Sequence, residues 1–188
     1  PLLMLFLVCA HKVAPGGGPE DKIPPEILGH FPAADSVGIR NLEYIEIEFS
    51  EPIRQSTLLE NYWMMPPLES DFTVKWKGNQ KVRFYLNDSL ETDQTYVFTL
   101  STNVRDMRNN GLMKPFQIAF STGSKLDRGS VSGQVYADQK PRDVYIYAYR
   151  IDPGTSLDAL IYSEPRYYTQ PDANGAYRMS YLALEKYR

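Results

Sequence analysis

Three groups of residues in this 188-residue chain carry side chains that chemistry can use. Glu46, Glu48 and Glu51 lie close together and can be cast as the acid and base of a glycosidase, which needs carboxyls whose surroundings drive their pKa values apart. Alternation around Ile45, Ile47 and Phe49 instead puts Glu46 and Glu48 on one solvated face, without the apolar pocket that raises a carboxyl pKa. Asp106, Asn109 and Asn110, beside Gly111, offer the hard oxygen donors that calcium accepts. Their spacing is not that of an EF-hand, and the same residue types are the usual turn formers. Tyr145, Tyr147 and Tyr149 share one strand face, where they can stack on sugar rings or pack half-buried against more protein. His11 and His30 have no further histidine with which to form a cluster, and no serine or cysteine nucleophile sits in a recognisable motif. These residues give no catalytic constellation, no metal site of motif quality and no cofactor site, so the chain reads as non-enzymatic.

Composition narrows the classes further. The length allows one or two domains with a real core. Twenty basic against 23 acidic residues leave no basic excess of the kind that favours nucleic acid. The single cysteine, Cys9, cannot close an internal disulfide. Fourteen prolines, 12 glycines and 13% aromatic residues favour strands and turns over helices.

The chain opens at Pro1 on an unbroken apolar run, Leu2 to Val8, that ends at Cys9. The run fits the apolar part of a secretory signal and is too short to span a bilayer. An apolar run stopping at cysteine resembles the signal of bacterial lipoproteins. That resemblance implies lipidation of Cys9 and cleavage before it, several acyl chains then holding the protein at a membrane. Val8 departs from the small residue usual at that place, and Phe6 stands where leucine is commoner; a small buried cysteine is the alternative. Residues 10–23, with Gly16-Gly17-Gly18 between Pro15 and Pro19, read as a flexible tether. The arrangement is similar to Bacteroidetes lipoproteins, whose spacers often carry a Gly-Gly-Pro-acid-Lys-x-Pro-Pro run.

Residues 24–123 alternate with period two. Ile45, Ile47 and Phe49; Phe72, Val74 and Trp76; Val82, Phe84 and Leu86; Tyr96, Phe98 and Leu100; and Phe116, Ile118 and Phe120 each line one side of an expected strand, with Gly78-Asn79 offering a turn. One helical turn is expected near Ser56–Glu60, with Ser56 as its cap. Trp63 and Trp76 are expected in the core. The class is all-β, an antiparallel sandwich. Pro24-Pro25-Glu26-Ile27, Phe31 to Val37, Ile45 to Ile53 with its Phe49-Ser50-Glu51-Pro52, Leu90 to Leu100, Val104 to Gly111 and Phe116 to Gly123 resemble, in order, the motifs of the SbsA-type bacterial Ig-like domain. Membership of that family implies a surface or envelope module, usually non-catalytic, that acts as a spacer or a binding platform.

From 124 to 188 the composition shifts, with ten of the 14 tyrosines after residue 130. Strands are expected over 130–136, 144–149 and 176–181, with a turn at Pro171–Gly175. The order "Gly-x-Val, aliphatic strand, Asp-x-x-Gly-x-Tyr" resembles the carboxypeptidase-regulatory-like, transthyretin-like sandwich. In that family Tyr187-Arg188 would open a further strand, so this unit reads as partial, with an exposed sheet edge.

The expected organisation is therefore a lipidated Cys9 (1–9), a tether (10–23), an Ig-like sandwich (24–123) and a truncated second sandwich (124–188). The expected role is that of a non-catalytic cell-envelope lipoprotein, structural, adhesive or a binding platform. Its expected place is the outer membrane, held through the lipid anchor, with envelope proteins or glycans as partners and no nucleic acid. The alternative is a carbohydrate-binding accessory module of a glycan-processing system, working through Tyr145, Tyr147 and Tyr149.

Overall fold

Alternation in the sequence becomes a two-layer core. In β2 (Tyr44–Phe49), Ile45, Ile47 and Phe49 are buried while Tyr44, Glu46 and Glu48 face outward, as the period-two geometry of a strand requires. β5 (Lys81–Tyr85) repeats the pattern with Val82 and Phe84 inside. Together with β1 (Ile27–Phe31) and β4 (Thr73–Lys77), these strands form an antiparallel sheet in the order β1-β2-β5-β4. Gly78, at φ 68°, starts the tight turn between β4 and β5, a conformation that glycine adopts without steric cost. The structure, a computed structural model, describes residues 20–136, 144–151, 154, 156–172 and 174–188. Cys9, His11 and the first part of the expected tether lie outside the described residues.

The facing layer is the antiparallel sheet β3-β6-β7, made of β3 (Tyr62–Met65), β6 (Thr95–Leu100) and β7 (Phe116–Ser121). Its inner residues Met64, Tyr96, Phe98, Leu100, Ile118 and Phe120 close the core against β2 and β5. Tyr62, Phe72, Phe84 and Phe98 meet there, mostly edge-on or tilted and with Tyr62 stacked on Phe98 at 6.2 Å; Phe84 and Phe98 are at a centroid distance of 4.8 Å, arrangements that aromatic quadrupoles favour. After β1 the chain crosses to this layer and runs along the free edge of β7. Asp35 N–H donates to Ala119 O, and Ser121 N–H donates to Ser36 O.

The short helix α1 (Gln55–Leu58) starts two residues earlier than a Ser56 cap predicts. Arg54 is its N-cap residue and Ser56 lies inside the helix; no side chain caps the N-terminus. Thr57, whose hydroxyl donates to Arg54 O, is the residue that ties this turn down. Trp76 packs half-buried on the core, stacked against Phe49 at 6.5 Å. Trp63 is buried too, but on the other side of its sheet.

β6 is buried along its whole length, on both faces. What covers the outer face comes from the last third of the chain. β8 (Gly129–Gln134) pairs with β11 (Ala176–Leu182), and β9 (Ile146–Ala148) pairs with β10 (Tyr167–Thr169), both antiparallel. The expected 144–149 strand is regular over only three residues, and Tyr149 then exchanges both backbone hydrogen bonds with Arg188. The helix α2 (Leu157–Ile161) lies between β9 and β10, its amide end accepted by the Ser156 hydroxyl. Tyr167, Met179 and Leu182 pack on Trp63 and Met65, while Leu126 and Tyr181 pack on Val97 and Ala119. β8, by contrast, is exposed at every position. Among the described residues no helix is long and apolar enough to cross a membrane.

Candidate functional site

Where the two units meet, aromatic rings form a continuous ladder. Trp63, an outward residue of β3, stacks on Tyr168 of β10 at 4.7 Å and touches Tyr145 at 6.1 Å. Tyr145, Tyr147 and Tyr149 then follow one another at 6.3 Å per step, and Tyr168 also reaches Tyr147 at 5.8 Å. The strand geometry expected from the sequence thus brings the three tyrosines into one row. Their surroundings differ: Tyr145 is half-buried against Trp63, whereas Tyr147 is 47% exposed. Burial, followed by the neighbouring hydroxyls of Tyr145 and Tyr147, drives the Tyr168 hydroxyl pKa strongly upward. Among the described residues the buried Trp63 indole N–H has no hydrogen-bond partner, unusual for a buried tryptophan.

Beside the ladder lies a cleft of about 330 Å³ between the β3–β4 connection and the 164–168 segment. Tyr62, Trp63, Phe72 and Tyr168 supply aromatic walls, and Asp71 and Glu164 supply carboxylates. Periodicity could not find this cleft, because its walls are far apart in sequence and Trp63 reads as core.

The Asp106 loop is built around one carboxylate. Asp106 is fully buried; its Oδ1 accepts the backbone N–H groups of Arg108 and Asn110, both at 2.8 Å, and its Oδ2 accepts the Asn110 side-chain amide. Asn109 takes the left-handed conformation at φ 74°. Gly111 passes so close to the Thr102 carbonyl that a Cβ would collide with it. Asp21 and Glu51 bring carboxylate oxygens to within 4.8 Å of Asp106, a grouping the sequence left invisible because the three are far apart. Burial first, then the charges of Asp106 and Asp21, raise the Glu51 pKa.

Glu46 and Glu48 do share the outward face of β2. Arg83 donates to Glu46 at 2.5 Å and Lys81 bridges both glutamates. The Arg83 hydrogen bond holds the Glu46 carboxyl below its ordinary pKa against a smaller effect of burial, the opposite of what a general acid needs. His30 sits at the end of β1, its Nδ1 2.9 Å from Pro32 O and its ring against Phe116.

Residues 21–122, more than half of the chain, match the bacterial Ig-like domain family. The chain belongs to that family. That family is a non-catalytic one. Among solved structures, the S-layer protein rSbsC(31-844) aligns at 14% identity with a TM-score of 0.36, covering 66% of this chain and 17% of that one. An L,D-transpeptidase from Mycobacterium smegmatis aligns at 12% identity with a TM-score of 0.40, covering 84% and 73%. This chain therefore spans less than a fifth of the S-layer protein's length. No curated protein sequence matches it.

Proposed function

We propose that this chain is a non-catalytic envelope module, a structural or adhesive platform that holds a binding surface away from a membrane to which Cys9 anchors it. The observation that carries this reading is the two-sided burial of β6. An Ig-like domain whose outer face is covered by a second β unit is a rigid spacer rather than two beads on a string. The apolar run before Cys9 and the glycine-rich segment after it supply the anchor and tether of the same reading. The second unit is assigned, on its strand order and its Asp172–Gly175 turn, to the transthyretin-like sandwiches. The outer membrane is the proposed location, and envelope proteins or glycans the proposed partners. Metabolic palmitate labelling of the full-length protein and its Cys9→Ser variant tests the anchor. The label and the membrane association are expected to vanish together in the variant; equal labelling overturns the reading.

A second reading, a carbohydrate-binding accessory module, is favoured by the exposed Tyr147 in the ladder. Tyr147 and Tyr149 stand 6.3 Å apart on a row that a sugar chain can follow. It predicts glycan binding in an array that is lost when both are changed to alanine, and an array without hits removes it.

A further inference from the structure

The cleft beside Trp63 has a chemistry of its own. Its walls are four aromatic residues, with Met64, Met65, Pro67, Leu68 and Pro165 between them. Among the described residues of its lining the only formal charges are negative: Asp71 and Glu164, both exposed, with no lysine, arginine or histidine beside them. Neither carboxylate has an ion-pair partner among the described residues. Arg166, the nearest cation in sequence to Glu164, is directed to Gln94 Oε1 at 3.2 Å. Ser70, at the rim, is held by both carboxylate oxygens of Asp88, which places a third negative charge next to the cleft. Burial and then the Asp71 charge raise the Tyr62 hydroxyl pKa, as expected for a carboxylate beside that ring.

Aromatic faces carry negative electrostatic potential and attract cations within about 6 Å of their centroids, most strongly when water is excluded. A primary ammonium is compact and strongly hydrated, and would need several acceptors to replace its water. The two carboxylates of this lining are exposed, and most of the rest is aromatic and aliphatic surface, which suits a bulky, weakly hydrated cation. The volume, about 330 Å³, is that of a small-molecule site at a boundary between units. We propose that the cleft binds a quaternary ammonium group, seated against Tyr62, Trp63, Phe72 and Tyr168 and balanced by Asp71 and Glu164. The proposal is independent of the anchor at Cys9 and of the exposed Tyr147.

The test is calorimetric titration of the whole chain with choline and with 3,3-dimethyl-1-butanol, the uncharged isostere in which carbon replaces nitrogen. Choline is expected to bind saturably and the isostere about tenfold or more weakly, because only the charge differs. The double variant Asp71→Asn/Glu164→Gln, at two exposed positions, is expected to keep its urea midpoint and lose about tenfold in choline affinity. Tyr168→Leu, which keeps an apolar side chain and removes an aromatic wall, is expected to weaken choline while leaving any isostere binding in place. The proposal is overturned by absence of saturable choline binding, by equal binding of the isostere, or by unchanged affinity in the double variant.

Discussion

Trp63 and Tyr168 lie 105 residues apart in sequence and stack at 4.7 Å, one from the outward face of the Ig-like sheet and the other from the strand laid across it. This contact turns an outward β3 face that would otherwise be an exposed apolar patch into a second, smaller core with Met65, Tyr167, Met179 and Leu182. A large exposed apolar patch on a sheet is a liability for a protein in water, so the covering unit explains why β3 can be apolar on both sides.

Truncating Trp63 should therefore cost the stability of a buried aromatic. Trp63→Ala is expected to lower the unfolding free energy by about 3 kcal/mol and to make the 124–188 part the first to be cut in limited proteolysis. A loss below about 0.5 kcal/mol would mean the ring is not packed as described.

Tyr181 and Asp35 form a second tie between the units. The tyrosine hydroxyl donates to Asp35 Oδ1 at 2.6 Å, and both residues hold the left-handed conformation, at φ 62° and 60°. Tyr181 sits where the β11–β8 register slips, a bulge that aims its side chain at the Ig-like loop. Tyr181→Phe keeps the ring and removes the bond. A destabilisation of about 1 kcal/mol, read from urea unfolding, is expected, with faster amide exchange in the 33–39 segment.

Glu46 and Glu51 should respond to pH in opposite senses. The Glu46 pKa is lowered, first by its Arg83 hydrogen bond, so Glu46 contributes stability above 4.5, the ordinary value; this is lost as pH falls through its lower folded value. The Glu51 pKa is raised, first by burial, so the folded state holds this proton more tightly and stability falls as pH rises from 4.5 through the raised value. At pH 7, Glu46→Gln is expected to lower the urea midpoint and Glu51→Gln to raise it. Shifts in the reverse directions would contradict the assignment.

Asp106→Ala leaves the part-buried N–H groups of Arg108 and Asn110 without their acceptor. A loss of about 2 kcal/mol is expected from two part-buried donors left unpaired, measured by chemical denaturation, with Asp106→Asn intermediate because its amide oxygen can still accept. A variant as stable as the parent would show that the loop does not depend on this carboxylate.

Much of the Ig-like fold was legible because one-sided burial writes period two into β2, β4 and β5, where Glu46, Glu48, Lys75 and Lys77 mark the wet face. β3 escaped that reading: Tyr62, Trp63, Met64 and Met65 are apolar on both faces, so nothing alternates. β6 did alternate aromatic with small residues, yet Thr95, Val97 and Thr99 gave no sign that the outer face is covered. The α1 cap was misplaced because Ser56 is a good cap by type, while the helix is fixed from Thr57 and from the packing of Leu58. The cleft and the Asp21–Glu51–Asp106 grouping join residues 30 to about 100 positions apart in sequence, and composition carries no record of such meetings.

The C-terminal strands dock against the outer face of the Ig-like sheet, and nuclear Overhauser contacts measure that docking directly. Cross-peaks from the Trp63 indole protons to the Tyr168 and Tyr145 rings, with both units tumbling at one rate, are predicted. Absence of these cross-peaks, together with separate tumbling of residues 24–123 and 124–188, would contradict it.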